Sequence, residues 1–418
     1  MDQASLEHLR DGSSAGRPRI AVDAMGGDHA PEEVVRGAVD WARLHPDTDI
    51  LLVGDERQMQ PFIDSPLPAH VSIVQASESV GMDEQAATAV RRKRDASINV
   101  CMRLVRDGRA DAVVSAGHTG ACVASAIVHL GRLPGVDRPA LAVQMVTDRG
   151  PFVLLDIGAT TDSTGLNLAQ YAHMGALYAD QVLGVRNPSV ALLSIGEEGG
   201  KGEQRVQQAT DLLTVSKLRF IGNVEGRDLP THPADVVVCD ASVGNVVMKF
   251  FEGLASTMFG MLRREFKRPP WGPIGYLFMR PGIKRIRDRF DYERLGAAPL
   301  LGVKGMVLIT HGRATRRMIG FAVEVGAASA RAGIPDRIAA SLAGSGIVAE
   351  RSSRSSATPQ PAPSADPTAL ATPSAVIPAA GPDHDPSAAA APEPDPLAAA
   401  GPDHDPSVAT GESQPSRS

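Results

Sequence analysis

Cysteine is scarce in this chain: three in 418 residues, at Cys101, Cys122 and Cys239, with no C-x-x-C pair. An odd, widely spaced set excludes a disulfide framework and fits buried thiols in a reducing compartment. No run approaches the roughly 18 consecutive apolar residues of a membrane span. The N-terminal stretch carries Glu7, Arg10, Asp11 and Arg17 without an apolar core, unlike a secretory signal. The expectation is a cytoplasmic protein, soluble or peripheral.

Cofactor motifs are lacking too. A dinucleotide site needs G-x-G-x-x-G after the first strand, and the first loop offers only Gly26-Gly27. A Walker A loop needs a glycine where Ile195 stands and Ser or Thr where Gly202 follows Lys201. No H-E-x-x-H or comparable ligand cluster is present, so no catalytic metal is expected. There is no G-x-S-x-G elbow and no convincing Ser-His-Asp or Cys-His set. NAD, ATP and a covalent enzyme intermediate are all left without support, and no cofactor is expected.

Charge divides the chain. From Arg351 onward there are three Arg against eight Asp or Glu, so −5 of the net −6 sits in that segment. It is built of Ala, Pro, Ser and Asp and repeats Gly-Pro-Asp-His-Asp-Pro-Ser at 381–387 and 401–407. Such a segment buries too little apolar surface to offset ordering entropy, so 351–418 is expected to be a disordered tail. Its Asp-His-Asp repeats read as a soluble spacer before a weak metal site. Residues 1–18 are expected to be flexible and 19–340 to form one α/β domain. That body is near neutral, so charge gives no ground for global nucleic-acid affinity.

What the body does have is a repeated grammar. Short apolar strands are expected at 20–22, 50–53, 71–74, 112–114, 141–146, 152–155, 190–193, 236–239 and 306–309, and at least five end in loops rich in Gly, Ser, Asn, Thr and acids. Helical spacing follows or intervenes at 32–44, 88–107, 121–130, 167–183, from 246 onward, and up to Ala332. Alternation of this kind predicts a mostly parallel sheet covered on both faces. In a parallel sheet the carboxyl ends share one edge, so the loops are expected to converge on one cleft. The first of them breaks at Gly26-Gly27 and restarts as a helix. It reads equally as an anion site and as a plain turn. A cleft of backbone N–H groups and small hydroxyls suits phosphate or developing charge on a carbonyl oxygen.

Residues 254–292 differ from the rest. From Arg263 to Arg289 there are nine basic residues against Glu265 and Asp288, and nine of the chain's sixteen aromatics lie between Phe250 and Tyr292. Pro269-Pro270, Pro273 and Pro281-Gly282 are expected to cut the segment into short helical pieces. Apolar and basic faces together describe an interfacial membrane binder or a dock for an acidic protein. A subunit interface or an internal helical pair stays open. No base-reading motif is present, so nucleic acid is not an expected partner.

Eight stretches, in order across roughly 19–335, resemble the phosphate acyltransferases of phospholipid synthesis, the PlsX family. They are Ala21-Val-Asp-Ala-Met-Gly-Gly-Asp-His-Ala-Pro31, Arg91-Arg-Lys-Arg-Asp-Ala-Ser-Ile98, Val114-Ser-Ala-Gly-His-Thr-Gly-Ala121, Arg138-Pro-Ala-Leu141, Ser194-Ile-Gly-Glu-Glu198, Asn223-Val-Glu-Gly-Arg-Asp228, Asp240 with Val243-Gly-Asn245, and Ala298-Pro-Leu-Leu-Gly302. Thr160, Ala241-Ser242 and Ala297 depart from the family's common residues. The resemblance implies a three-layer α/β/α sandwich similar to phosphate acetyltransferases, and a homodimer. It implies acyl transfer from acyl carrier protein to inorganic phosphate, feeding a membrane glycerol-3-phosphate acyltransferase, on an enzyme held peripherally at the inner face of the cell membrane.

Under that resemblance the expected catalytic residues are Asp23, Lys201, Glu225, Asp240 and Asn245. Phosphate or substrate contacts are expected at Gly26, Gly27, Asp28, Ser115, Gly117, His118, Thr119, Gly120, Gly196, Glu197 and Asn223. Carrier-protein or membrane contacts are expected at Arg263, Arg264, Lys267, Arg268, Trp271, Lys284 and Arg285. His29 and His118 are acid–base candidates by residue type, although the family pattern does not demand His at either place. Within enzymes the rival is a phosphate acetyltransferase acting on short acyl-CoA; outside them it is a membrane scaffold.

Overall fold

The computed structural model describes residues 16–64, 66–147, 149–196, 202–289, 293 and 297–347. The expected tail at 351–418, most of the N-terminal stretch, Glu197, Lys201 and Tyr292 lie outside the described residues.

Eleven strands form one sheet. They are β1 (Arg19–Asp23), β2 (Asp49–Gly54), β3 (Val71–Gln75), β4 (Ala112–Ser115), β5 (Ala140–Thr147), β6 (Gly150–Leu155), β7 (Ser189–Leu193), β8 (Arg219–Val224), β9 (Val236–Val238), β10 (Ala298–Leu301) and β11 (Met306–Ile309). The spatial order is β3-β2-β1-β4-β11-β10-β5-β6-β9-β7-β8. Each strand alternates its side chains between faces. Ile20, Val22, Val114 and Leu308 feed one apolar core, while Ala21, Val113 and Val307 feed the other. Both faces are buried, so the strands read as continuous apolar runs, and the result is the three-layer arrangement the alternation predicts.

On the first face lie α1 (Glu32–Leu44), α6 (Gly165–Leu183), α7 (Gln204–Thr214), α10 (Arg316–Arg331) and α11 (Ile334–Ser345); on the second lie α4 (Ser97–Arg106) and α5 (Thr119–His129). The short α2 (Glu56–Met59) and α3 (Ala86–Arg92) fill connections. The single helix expected at 88–107 is two helices. Lys93 Nζ reaches the Ser79 carbonyl and Glu84, and Asp95 accepts from the Ser77 amide and hydroxyl. Those bonds pull 93–96 onto the 77–84 loop and end the first helix. Strands β8 and β10 and helices α7 and α11 were not expected from the sequence.

The direction of the strands corrects a larger expectation. β1, β2, β3, β4 and β11 run parallel to one another. β10 is antiparallel to β11 and β5, and β5 is antiparallel to β6, which leads the parallel set β6-β9-β7-β8. The sheet is mostly parallel within each half, yet its halves run opposite ways. The carboxyl ends therefore lie on two edges, not one.

Two long helices follow β9: α8 (Ala241–Phe266) and α9 (Trp271–Arg289). At about 1.5 Å per residue α8 is roughly 39 Å long, and only Ala241 and Gly244 of it are buried. It starts five residues before the expected position because Asp240 caps it. The expected fragmentation is also corrected, since only 267–270 interrupt the helices. Pro273 sits in the first turn of α9, where no intrahelical N–H bond is lost. Pro281 lies inside α9 on a fully exposed stretch, where water can take the freed carbonyl.

Candidate functional site

Register places Asp23 beside Ser115, and Ser115 beside Ile309. These three strand ends build the first edge. Asp23 is 2% exposed. Its Oδ2 accepts the Ser115 hydroxyl at 2.7 Å, and Ser115 Oγ accepts the Gly117 N–H at 3.0 Å. Asp23 Oδ1 has no hydrogen-bond partner. Burial pushes this carboxyl above its ordinary range, while the Ser97 and Ser115 hydroxyls and the Met25 and Gly26 amides pull against it.

The glycines here are spatial requirements. A Cβ on Gly26 would stand 2.6 Å from Asp23 Oδ2 and 2.8 Å from the Gly117 nitrogen. Gly27 has φ +117°, a conformation closed to most side chains. The next residue, the exposed Asp28, donates its N–H to the Gly312 carbonyl at 2.7 Å and ties the loop after β11 to the same edge.

Beside the loop after β1 opens a small cavity lined by Asp23, Gly26, Ser97, Gly117, His118 and Cys122 among others. The first turns of α4 and α5 bring Ser97, His118 and Ala121 to its wall. First-turn N–H groups have no intrahelical partner and carry partial positive charge, so the geometry attracts anions. His118 caps α5: the Ala121 N–H is shared between its carbonyl at 2.9 Å and its Nδ1 at 3.3 Å. Its neighbour Thr119 is exposed, and a Cβ on Gly120 would stand 3.0 Å from the imidazole.

The second edge holds the other group. Asp156, fully buried, accepts the N–H of Leu141 (2.9 Å), Gly158 (3.0 Å) and Ala159 (2.9 Å) on Oδ1 and that of Thr160 (2.8 Å) on Oδ2. Asp240 accepts from Ser242 and Val243 as the cap of α8, and its Oδ2 lies 3.4 Å from Arg205. Asn223 is buried with both amide atoms unpartnered. Glu225 is paired with Arg227 at 3.2 Å, Gly196 is buried, and Asn245 is exposed on α8.

Of the expected site residues, the structure thus gathers Asp23, Gly26, Gly27, Asp28, Ser115, Gly117, His118, Thr119 and Gly120 on one edge. It puts Gly196, Asn223, Glu225, Asp240 and Asn245 on the other. Glu197 and Lys201 lie outside the described residues. The expected convergence of all loops on one edge fails because β10 and the β5–β6 hairpin reverse the strand direction. Ser97 was not singled out as a site residue, although it stands inside the Arg91–Ile98 stretch; its polarity amid apolar neighbours was the available signal. Among the described residues no cluster of three or more His, Cys, Asp or Glu is placed to hold a metal.

The helical pair carries the basic residues outward. Arg264, Lys267, Arg268, Lys284 and Arg285 are exposed, Arg263 is half-buried, and Trp271 is 76% exposed. Val246, Phe250, Leu254, Met258, Met261, Leu277 and Phe278 are exposed on the same two helices.

Residues 18–337 match the family described as "Fatty acid synthesis protein". A phosphate acyltransferase of Heliobacterium modesticaldum is 47% identical over 328 residues, covering 78% of this chain and 96% of that protein. One of Desulfitobacterium hafniense is 46% identical over 322 residues, covering 77% and 96%. Among solved structures, a phosphotransacetylase from Streptococcus pyogenes shares the fold with a TM-score of 0.50 at 19% identity, over 79% of this chain and 99% of that one.

Proposed function

The chain belongs to the fatty acid synthesis protein family, with phosphate acyltransferases as its curated relatives, and from that premise we propose that the first-edge cavity seats inorganic phosphate for direct attack on an acyl thioester. The enzyme transfers an acyl group to phosphate. Its substrate in this reading is a long-chain acyl group on acyl carrier protein, and its product feeds glycerol-3-phosphate acylation in phospholipid synthesis. The observation that carries the reading is the cavity at the first turns of α4 and α5.

Phosphate sits against the N–H groups of Thr119 and Gly120 and the Thr119 hydroxyl, with Gly26, Gly27 and Gly117 letting the backbone approach. One phosphate oxygen bonds to the thioester carbon, the C–S bond breaks, and the proton phosphate loses ends on sulfur. Positioning of two bound reactants is worth roughly 7–11 kcal/mol of barrier, so no nucleophilic side chain is required. Lys201 and Glu197, expected from the sequence to neutralise and orient phosphate, adjoin Gly202 and Gly196 in the chain and are not assigned to phosphate contact at this cavity. Asp240 serves through its cap on α8, and Gly196, Asn223, Glu225 and Asn245 are not assigned to phosphate contact.

Carrier protein is acidic, and the exposed basic residues of α8 and α9 are its proposed dock. Their apolar neighbours support peripheral attachment to the membrane that holds the next acyltransferase. Among the described residues no helix is long and apolar enough to cross a membrane. A homodimer completes the proposal.

The test is thiol release from palmitoyl carrier protein with and without inorganic phosphate, trapping acyl phosphate with hydroxylamine. Phosphate-dependent release with a trapped hydroxamate is expected. Release without phosphate, or release from acetyl-CoA alone, overturns the assignment; no release from any thioester leaves a scaffold.

A further inference from the structure

We infer that Asp23 is the proton carrier of the acyl transfer, its free Oδ1 taking the proton of the attacking phosphate and returning it to the departing thiolate, with Ser97 and Ser115 as the hydroxyls that tune it. The inference rests on the phosphate-transfer reading above. Two independent features meet at this residue. Asp23 is part of the cavity wall, and its Oδ1 is buried without a partner. Because Oδ2 is engaged by Ser115 at 2.7 Å, Oδ1 is the oxygen left for a ligand.

The surroundings suit a group that must both accept and release a proton. Facing the carboxyl are Ser97 and Cys101 from α4, Ser115 from β4, Cys122 and His118 from α5, and the Met25 and Gly26 amides of its own loop. None of these is a lysine or arginine that would hold the carboxylate ionised. Burial pushes the Cys122 thiol up to about 12 and Cys101 well above its ordinary value, so neither thiol competes for the role. Desolvation raises Asp23 while two hydroxyls and two amides restrain the rise. A carboxyl poised this way takes part in proton transfer in both directions.

The step balances. Phosphate oxygen bonds to the carbonyl carbon, and its O–H proton passes to Asp23. The C–S bond then breaks, and Asp23 gives that proton to sulfur, so the carboxylate is regenerated. No oxidant, reductant or further reactant is consumed.

The test compares wild type with Asp23→Asn, an isosteric change that keeps an acceptor for Ser115, on two thioesters of one acyl chain. With an alkyl thiol as leaving group the variant should lose about 10²–10⁴-fold in rate. With thiophenol, whose thiolate departs without needing a proton, the deficit should shrink to within about tenfold. An equal deficit on both esters overturns the inference. A second variant, Ser115→Ala, is tested on palmitoyl carrier protein across pH. Removing that hydroxyl raises the Asp23 carboxyl further, so the acidic limb of the rate profile should move to higher pH. An unmoved limb also overturns it. Failure of the transfer reading itself is separate, because wild type would then show no phosphate-dependent thiol release.

Discussion

Asp23 and Asp156 invite comparison because each ends or follows a strand, precedes glycine in a loop, is buried, and has its carboxyl pushed up by burial. Their partners differ. Asp156 takes four backbone N–H groups, with both oxygens engaged, and is fully buried. Asp23 holds the Ser115 hydroxyl on Oδ2 at 2.7 Å, while its Oδ1 has no hydrogen-bond partner and the residue lines a cavity. The same local sequence fastens a loop at one sheet edge and is available for chemistry at the other. Residue type and spacing do not separate the two uses; hydrogen-bond saturation does.

The widest separation should come from Asp156→Ala. It orphans four N–H groups in a buried loop, each worth about 1–3 kcal/mol when left unpaired, so a loss of at least about 3 kcal/mol is expected in urea unfolding. A loss under about 1 kcal/mol would erase the contrast with Asp23.

Gly26→Ala probes the open edge instead. The added methyl would stand 2.6 Å from Asp23 Oδ2 and 2.8 Å from the Gly117 nitrogen, so these groups must shift by on the order of 1 Å. Phosphate-dependent thiol release is expected to fall about 10²-fold, as misplacement of that size does, with a melting temperature that moves far less than for Asp156→Ala. A matched fall in stability would make the first edge a fastening too.

A third measurement concerns the helical pair rooted at the second edge. Reversing Arg264, Lys267 and Arg268 to Glu should raise KM for acyl carrier protein roughly tenfold, with steep salt dependence, through lost charge complementarity. KM for a small acyl thioester should not change. If both rise together, the helices act on the site and not on the carrier.

The smallest effect is thermal. Asp23 has its carboxyl raised in the folded chain above the unfolded value of about 3.9. Its contribution to stability is therefore full below that value and is lost as pH rises through the folded one. Asp23→Asn removes the buried charge, so at neutral pH the variant should melt above wild type. The gap should close as pH falls toward about 4, as calorimetry over that range would reveal. A variant less stable at every pH would make Asp23 as structural as Asp156.

Much of this was legible in the chain. Apolar runs such as 20–22 and 306–309 marked strands because both faces of a covered sheet demand apolar side chains. The Gly26-Gly27 and Gly117–Gly120 loops marked the first edge because only such residues let backbone N–H groups face an open space. Other elements were not legible. Pro281 sits inside α9 because the helix is exposed enough for water to replace a lost bond. Lys93 and Asp95 break a periodic stretch through bonds to residues 77–84, far outside any helical window.

The sequence by itself determined where strands stop and what chemistry follows each stop, since both depend on a few neighbouring residues. Only the tertiary structure decided which stops share an edge. Strand direction is set by pairing between distant segments: Leu300 meets Leu141, and Ala142 meets Leu155. With the β10–β11 pairing, which joins Leu300 to Val307, these make three antiparallel steps, and an odd number turns half the sheet around and separates Asp23 from Asp156 and Asp240.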